Sequence, residues 1–374
     1  MKIAFIGQKG IPVTFGGVEY HVDELARGLT RLGHDVRVYV RPWYTKKELK
    51  SYKGVRLIHV PTIKTKYLDA SIHSFLCSIH ALFTGVDIIH YHAIGPSFFS
   101  IIPYIFNKKI ISTVHRLDWD SEKWGIFSKF FLKIGELISV TIPKKTIVVS
   151  RELKVYFSNH YQRKTIHISH GITVPLFKEP DIIKQKYNLN KREYILFMGR
   201  LSPEKRVDWL IRSFLKLNKN KESLKDIKLV IAGGSSATKG YIRKLKILSK
   251  NNPDIIFTGY VIGKEKAELL GSALIFVLPS YLEGSPIVLL EAMSYGLCCL
   301  ISDIPPHRDI ITNRTNGLFF NSRDANDLTL KLKWLLSQPN EIELFGEKAK
   351  DKLSKRLSWN EVVRETESLY KSIL

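Results

Sequence analysis

Cysteine is almost missing from this sequence: 374 residues hold three, Cys77, Cys298 and Cys299, with no C-x-x-C pair among them. That excludes a disulfide framework and points to a reducing compartment, the cytosol. Long apolar runs are missing as well. The most apolar stretches, Phe98 to Phe106 and Ile134 to Ile142, fall far short of the ~20 residues that a membrane-crossing helix needs. No signal peptide is expected, because Met1 to Gly7 runs directly into what reads as a buried strand. Acidic residues are scarce: 35 Asp and Glu stand against 58 Lys and Arg, a formal net charge of +23. What is present is ordinary for a folded protein, 44% hydrophobic and 25% charged residues, which excludes disordered and collagen-like chains.

The positive charge suggests nucleic acid, an anionic membrane face or an acidic small molecule as partner. It is not confined to one region. Residues 1–172 carry 25 Lys and Arg against 12 Asp and Glu, and residues 173–374 carry 33 against 23. Much of the lysine lies in helical stretches such as Lys348 to Lys355, where a solvated face accounts for it.

The length predicts two domains. Apolar runs rich in Ile and Val alternate with amphipathic stretches, the pattern of parallel strands joined by helices. It occurs twice. The first series has strands at Lys2–Gly7, Asp35–Val40, Arg56–Val60, Ile88–His92, Ile110–Val114, Thr146–Ser150 and Thr165–Ile168, with a helix at Val18–Leu32. The second has strands at Tyr194–Met198, Lys228–Ala232, Ile255–Thr258, Leu274–Leu278 and Cys298–Ile301. A polar stretch, Pro175 to Lys191, reads as the link. The expected domains are 1–174, 175–357 and a C-terminal helix, 358–374, that returns to the first. The fold class is α/β, two Rossmann-like parallel-sheet domains facing across a cleft, with ligands at the carboxyl ends of the strands.

Site residues are therefore sought just after strands. The first strand ends in GQKGIPVTFGGVEYH, Gly7 to His21, which lacks the G-x-G-x-x-G spacing of a dinucleotide site. Its Gly16-Gly17 pair still lets backbone amides at a helix start approach an anion. In the second domain Gly199-Arg200-Leu201-Ser202-Pro203-Glu204-Lys205 puts two cations where a strand becomes a helix, a pairing suited to a diphosphate. After the strand ending at Leu278 comes PSYLEGSPIVLLEAMSYG, with Glu283 and Glu291 eight residues apart. Glu283 falls before a helix and Glu291 about one turn into it, so the two carboxylates address different parts of one extended ligand. The amides of Ser285, Ile287 and Val288 lie between them at the helix start, open to phosphate oxygens. Carboxylates that accept from hydroxyls grip sugars and ribose.

This combination, a Gly-Gly loop after strand one, G-R-x4-K and E-x7-E, resembles the retaining glycosyltransferases of family 4, whose fold is called GT-B. The resemblance implies that Glu291 holds ribose hydroxyls, Arg200 and Lys205 the diphosphate and Glu283 the donor sugar, with Gly16 and Gly17 facing the same diphosphate. Tyr260 and Val261 occupy the place where the family cradles the base. FIGQKGIPVTFGGVEYHVDELARGL together with VHRLDWDSEKWG, Val114 to Gly125, is similar to the rhamnosyltransferase-type bacterial branch. Its members extend lipid-linked or cell-surface glycans. His115 matches the family's histidine beside the donor sugar; Glu19, His21 and His92 are assigned to the acceptor side. His170 departs from the family's usual asparagine, so no role transfers to it.

The resemblance implies a hexosyl- or deoxyhexosyltransferase that uses dTDP-rhamnose or another nucleotide diphosphate sugar, acts by front-face attack with the leaving phosphate as base, and needs neither metal nor cofactor. The acceptor would be a glycan or polyprenyl-diphosphate-linked saccharide. A sugar-nucleotide epimerase and a basic nucleic-acid-binding protein are the rival readings; the second has no recognisable module and leaves E-x7-E unexplained. His90-Tyr91-His92 sets two imidazoles on one strand face, but no third ligand lies at metal spacing in the sequence. Lys123 to Lys145 interleaves Trp124, Phe127, Phe130, Phe131, Leu132, Leu137 and Ile138 with lysines. It reads as a basic amphipathic helix, suited either to an anionic membrane surface or to packing with its lysines in water.

Overall fold

The computed structural model describes residues 1–65, 67–121, 124–173, 179–218, 227–234, 238–354 and 358–374. The chain forms two compact units, Met1–Gly171 with Leu357–Leu374, and Ile172–Arg356.

The first unit opens with β1 (Lys2–Ile6), α1 (Gly17–Arg31), β2 (Asp35–Val40), β3 (Ser51–Tyr52), β4 (Val55–His59) and α2 (Leu68–Leu82). Then come β5 (Ile88–His92), α3 (Ile94–Ser97), a 3-10 turn (Phe98–Ser100), α4 (Ile101–Ile105) and β6 (Lys109–Val114). It continues with α5 (Ile126–Thr141), β7 (Lys145–Val148), α6 (Arg151–Tyr161) and β8 (Ile166–His167). The sheet order is β3-β4-β2-β1-β5-β6-β7-β8, parallel except for the β3–β4 pair. Alternation along β1 divides the core. Ile3 and Phe5 pack with Val22, Leu25 and Leu29 of α1, while Ala4 and Ile6 pack with Cys77 and Ala81 of α2. Two buried faces need continuous apolar strands, which is why the Ile/Val runs are legible.

The second unit runs α7 (Ile182–Tyr187), β9 (Tyr194–Met198), α8 (Val207–Asn218), β10 (Lys228–Ala232), α9 (Lys239–Leu248) and β11 (Ile255–Gly259). It proceeds through α10 (Gly263–Ser272), β12 (Ile275–Leu278), α11 (Ile287–Ser294), β13 (Cys298–Ser302) and α12 (Pro305–Arg308). It ends with β14 (Leu318–Phe320), α13 (Ala325–Leu336) and α14 (Pro339–Ser354). Its sheet is parallel, in the order β11-β10-β9-β12-β13-β14. The edge strands β3 and β14 escape sequence reading because two or three residues carry no period.

The last helix, α15 (Trp359–Lys371), belongs to the first unit. Ser358 caps it and Glu361 closes a capping box, the S-x-x-E signal written in the sequence. Its Val362, Val363 and Tyr370 join the α1 side of the core. Gly28 on α1 makes the contact close: a Cβ there would lie 2.3 Å from Val363 Cγ2.

Candidate functional site

In the second unit β9 and β12 are neighbours, so the loops that follow them lie side by side at the carboxyl edge of the sheet. The backbone there is crowded. Gly199 has φ 158° and Gly233 φ 140°, and a Cβ on Gly233 would sit 1.8 Å from the Gly199 carbonyl oxygen, so only glycine fits where β9 and β10 end. Arg200 leaves this crossing exposed to solvent. Lys205 closes the 3-10 turn Pro203–Lys205 and forms an ion pair with Glu283. The Tyr281 amide donates to the Glu204 carbonyl at 3.0 Å, tying the two loops together.

The Glu283 side chain is 8% exposed and that of Lys205 12%. Burial by itself would raise the Glu283 pKa; the Lys205 ammonium outweighs it and holds the carboxyl below its ordinary range. His307 is buried and pushed down to about 4, chiefly by desolvation, so it is a neutral imidazole near a carboxylate at pH 7. Its Nδ1 lies 2.8 Å from the Ser302 carbonyl, and its Nε2 has no hydrogen-bond partner among the described residues. Sequence reading passed over His307, whose only signal is its place in the turn after β13. It also passed over Arg206, whose guanidinium lies over the rings of Trp209 and Tyr281.

The helix start expected near Ile287 is the first turn of α11, with no side-chain cap. Ser285, Ile287 and Val288 are half-buried there, and the unsatisfied amides of a first helical turn favour an anion. Glu291, one turn in, pairs with Lys266 of α10 at 2.5 Å. Tyr260 donates its hydroxyl proton to the Gly234 carbonyl at 2.7 Å, and Val261 beside it is half-buried. Arg200, Lys205, Glu283, Glu291 and the α11 amides thus follow two adjacent strands. Both carboxylates are engaged by lysines.

The first unit gathers histidines. Gly7, with φ 120°, presses against β5, where a Cβ would lie 2.2 Å from the His92 carbonyl. Gly16 has φ 108°, and a Cβ there would meet Glu19 Oε2 at 1.8 Å. Glu19 accepts from both the Lys9 amide and the Lys9 ammonium at 3.1 Å, so this buried carboxylate folds the glycine loop back on itself. Beneath it His92 Nδ1 lies 3.2 Å from His115 Nε2, and His21 Nδ1 lies 3.0 Å from His170 Nδ1. His90 sits between the Tyr370 hydroxyl at 2.6 Å and Thr113 Oγ1 at 2.7 Å.

Two observations bear on the expectations for these residues. The sequence shows no third ligand at metal spacing, yet His21, His92 and His115 offer nitrogens within 4.8 Å of one another, because α1 and the end of β6 carry distant histidines to β5. Burial lowers the pKa of all three, that of His21 to about 4, leaving neutral imidazoles that resist protonation and each keep one ring lone pair. Placing Glu19, His21 and His92 on the acceptor side implies access, whereas all three are buried. His170 has a partner in His21 although no role was given to it.

Residues 15–174 match the family described as Glycosyltransferase Family 4, and residues 179–352 match Glycosyl transferases group 1. An uncharacterised glycosyltransferase of Methanocaldococcus jannaschii is 27% identical over 99% of this chain and 98% of its own. The capsular polysaccharide biosynthesis glycosyltransferase CapM of Staphylococcus aureus is 23% identical over 98% of this chain and 95% of its own. This chain is a glycosyltransferase of the GT-B type. The structure of Anabaena HepE in complex with UDP-glucose superposes with a TM-score of 0.82 at 16% identity, each chain covered in full, which bears on the fold.

No helix of the transferase, among its described residues, is long and apolar enough to cross a membrane. Its basic amphipathic segment is α5, Ile126–Thr141; Lys123 lies outside the described residues. Leu132 and Ile138 face the core, whereas Ile126, Phe127, Phe130 and Leu137 are exposed. Glu136, fully buried on α5, accepts hydrogen bonds from Trp119, from the Tyr156 hydroxyl at 2.8 Å and from the Tyr161 hydroxyl at 2.5 Å. Through Trp119 the transferase ties α5 to the loop that begins at His115.

Proposed function

We propose that this transferase moves a hexosyl or deoxyhexosyl unit from a nucleotide diphosphate sugar to a hydroxyl of a lipid-linked or cell-surface polysaccharide precursor, with retention of anomeric configuration. dTDP-rhamnose is the first donor to test. The carrying observation is the exposed Arg200 beside the Lys205–Glu283 pair and the uncapped start of α11, all at one sheet edge. Departure of the diphosphate builds negative charge, which Arg200, Lys205 and the α11 amides stabilise without reorganisation. Glu283 then meets the sugar and Glu291 the ribose once Lys266 yields. The UDP-glucose of Anabaena HepE and the polysaccharide role in the name of S. aureus CapM support the donor and acceptor classes. The reaction runs in the cytoplasm, at the inner membrane face through the Lys123–Lys145 segment, and needs no metal.

Calorimetry with dTDP-rhamnose, UDP-glucose, UDP-N-acetylglucosamine and GDP-mannose tests the reading. One donor binds the native chain and weakens at least about tenfold in both Arg200→Ala and Glu291→Ala, a loss of roughly 1.4 kcal/mol or more, with turnover unchanged by chelator. Binding of none, or equal binding by both variants, refutes the placement of the site.

A further inference from the structure

Main chain and side chain make opposite demands at Arg206. It stands at φ 46°, ψ 40°, in the left-handed region that suits glycine and strains any residue with a Cβ. Gln162 and Asn188 adopt the same conformation to close α6 and α7, whereas Arg206 links the turn Pro203–Lys205 to the start of α8, directly after Lys205. Its main-chain bonds ask for no particular side chain: the amide donates to the Pro203 carbonyl at 3.0 Å, and the carbonyl accepts from the Trp209 amide at 3.1 Å. Glycine would make both bonds without strain. A strained residue kept beside a site points to work done by its side chain.

The guanidinium touches two rings and a carbonyl. Its carbon lies 4.2 Å from the centre of the Trp209 ring and 4.7 Å from that of Tyr281, and Nη1 donates to the Ser322 carbonyl. Trp209 is in the first turn of α8, Tyr281 in the loop after β12 and Ser322 in the loop after β14. One planar cation therefore joins three segments at the carboxyl edge of the sheet, its face suited to aromatic rings and its edge to a carbonyl. Tyr281 is two residues from Glu283, and its amide is held by the Glu204 carbonyl at 3.0 Å. Arg206 follows Lys205 along the chain and reaches Tyr281 across space, so it meets both sides of the Lys205–Glu283 pair.

We propose that Arg206 is a positioning residue of the transferase, whose guanidinium holds the loop after β12 at the place where Glu283 meets Lys205. Strain in the main chain offsets part of what the rings and the carbonyl contribute, so the contact adds little to stability and acts on geometry. An ion pair preorganised against a departing diphosphate loses its effect when one partner shifts by about 1 Å. The purpose of this hold rests on the transferase reading above; the hold on the ion pair stands without it.

Two measurements on the full chain test it. In the first, urea unfolding of Lys205→Met, Glu283→Gln and the double variant gives the coupling within the pair, once with Arg206 and once with Arg206→Gly. That coupling falls by more than about half in the glycine background, while the midpoint of Arg206→Gly itself stays near that of the native chain, because glycine relieves the strain. In the second, Arg206→Gly lowers kcat at least about tenfold and leaves the donor KM within about twofold, since what is lost is made in the transition state. Arg206→Lys keeps the charge without the planar fork and recovers little of either. Absence of coupling in the native chain, undiminished coupling in Arg206→Gly, native kcat in that variant or full recovery by Arg206→Lys overturns the inference; so does a lowered midpoint with the coupling intact, which makes the side chain a staple of the fold. Loss of coupling in a chain that binds no donor defeats only the transferase placement, and donor turnover with coupling untouched by Arg206→Gly defeats only the positioning role.

Discussion

At the scale of single residues the decisive pair is Lys205 and Glu283. Both could be placed at strand ends from sequence, because the apolar runs Tyr194–Met198 and Leu274–Leu278 stop just before them. Their pairing could not, since it depends on β9 lying next to β12. A nearly buried carboxylate stays ionised here because its ammonium partner offsets the loss of water. Glu283→Gln removes that charge and leaves Lys205 uncompensated. Transfer should fall by about 100-fold or more, and stability by about 3 kcal/mol, read from initial rates and urea unfolding. Lys205→Met should cost similarly, and the double variant less than the sum of the two. Full activity in either single variant would remove the pair from the mechanism.

Between elements the telling contact is that of α1 with α15. The amphipathic run that begins at Trp359 was legible, and so was the helix after Gly17. What made their approach close was not, because a glycine inside a helix reads only as a weak former. Gly28 is there because Val363 occupies the space a side chain would need. Gly28→Leu should cost about 1–3 kcal/mol by overpacking and lower the melting temperature by several degrees, a shift that Val363→Ala partly restores; an unchanged melting curve would show the contact to be loose. α5 illustrates the other limit. Its sequence allowed a core helix or a surface helix, and the structure makes it both, with Leu132, Glu136 and Ile138 inward and Phe127 and Phe130 outward.

For the whole molecule, buried neutral histidines link stability to pH. His21 and His307 have pKa values of about 4 in the folded chain against an ordinary 6.5, and His90, His92 and His115 lie well below theirs. Below pH 6.5 the unfolded chain takes up protons that the folded chain refuses, so stability falls as pH falls, from about 6.5 down towards 4. Each such histidine contributes about 1.4 kcal/mol per pH unit across that window. Urea unfolding at pH 7.5, 6.0 and 5.0 should show a steep decline in the midpoint, and a flat profile would mean that the imidazoles reach water.

The sequence by itself determined the two series of strands and helices, their parallel arrangement, the loops that carry Arg200, Lys205 and Glu283 and the helix that carries Glu291, because burial on both sheet faces imposes apolar runs and ligands meet strand ends. Only tertiary structure decided which groups meet. Strand order set Lys205 against Glu283, α10 brought Lys266 to Glu291, and the β1–β5–β6 neighbourhood collected five histidines from positions 21 to 170. Periodicity is a local property of the chain, whereas proximity across a sheet depends on crossovers whose order leaves no periodic trace in the residues.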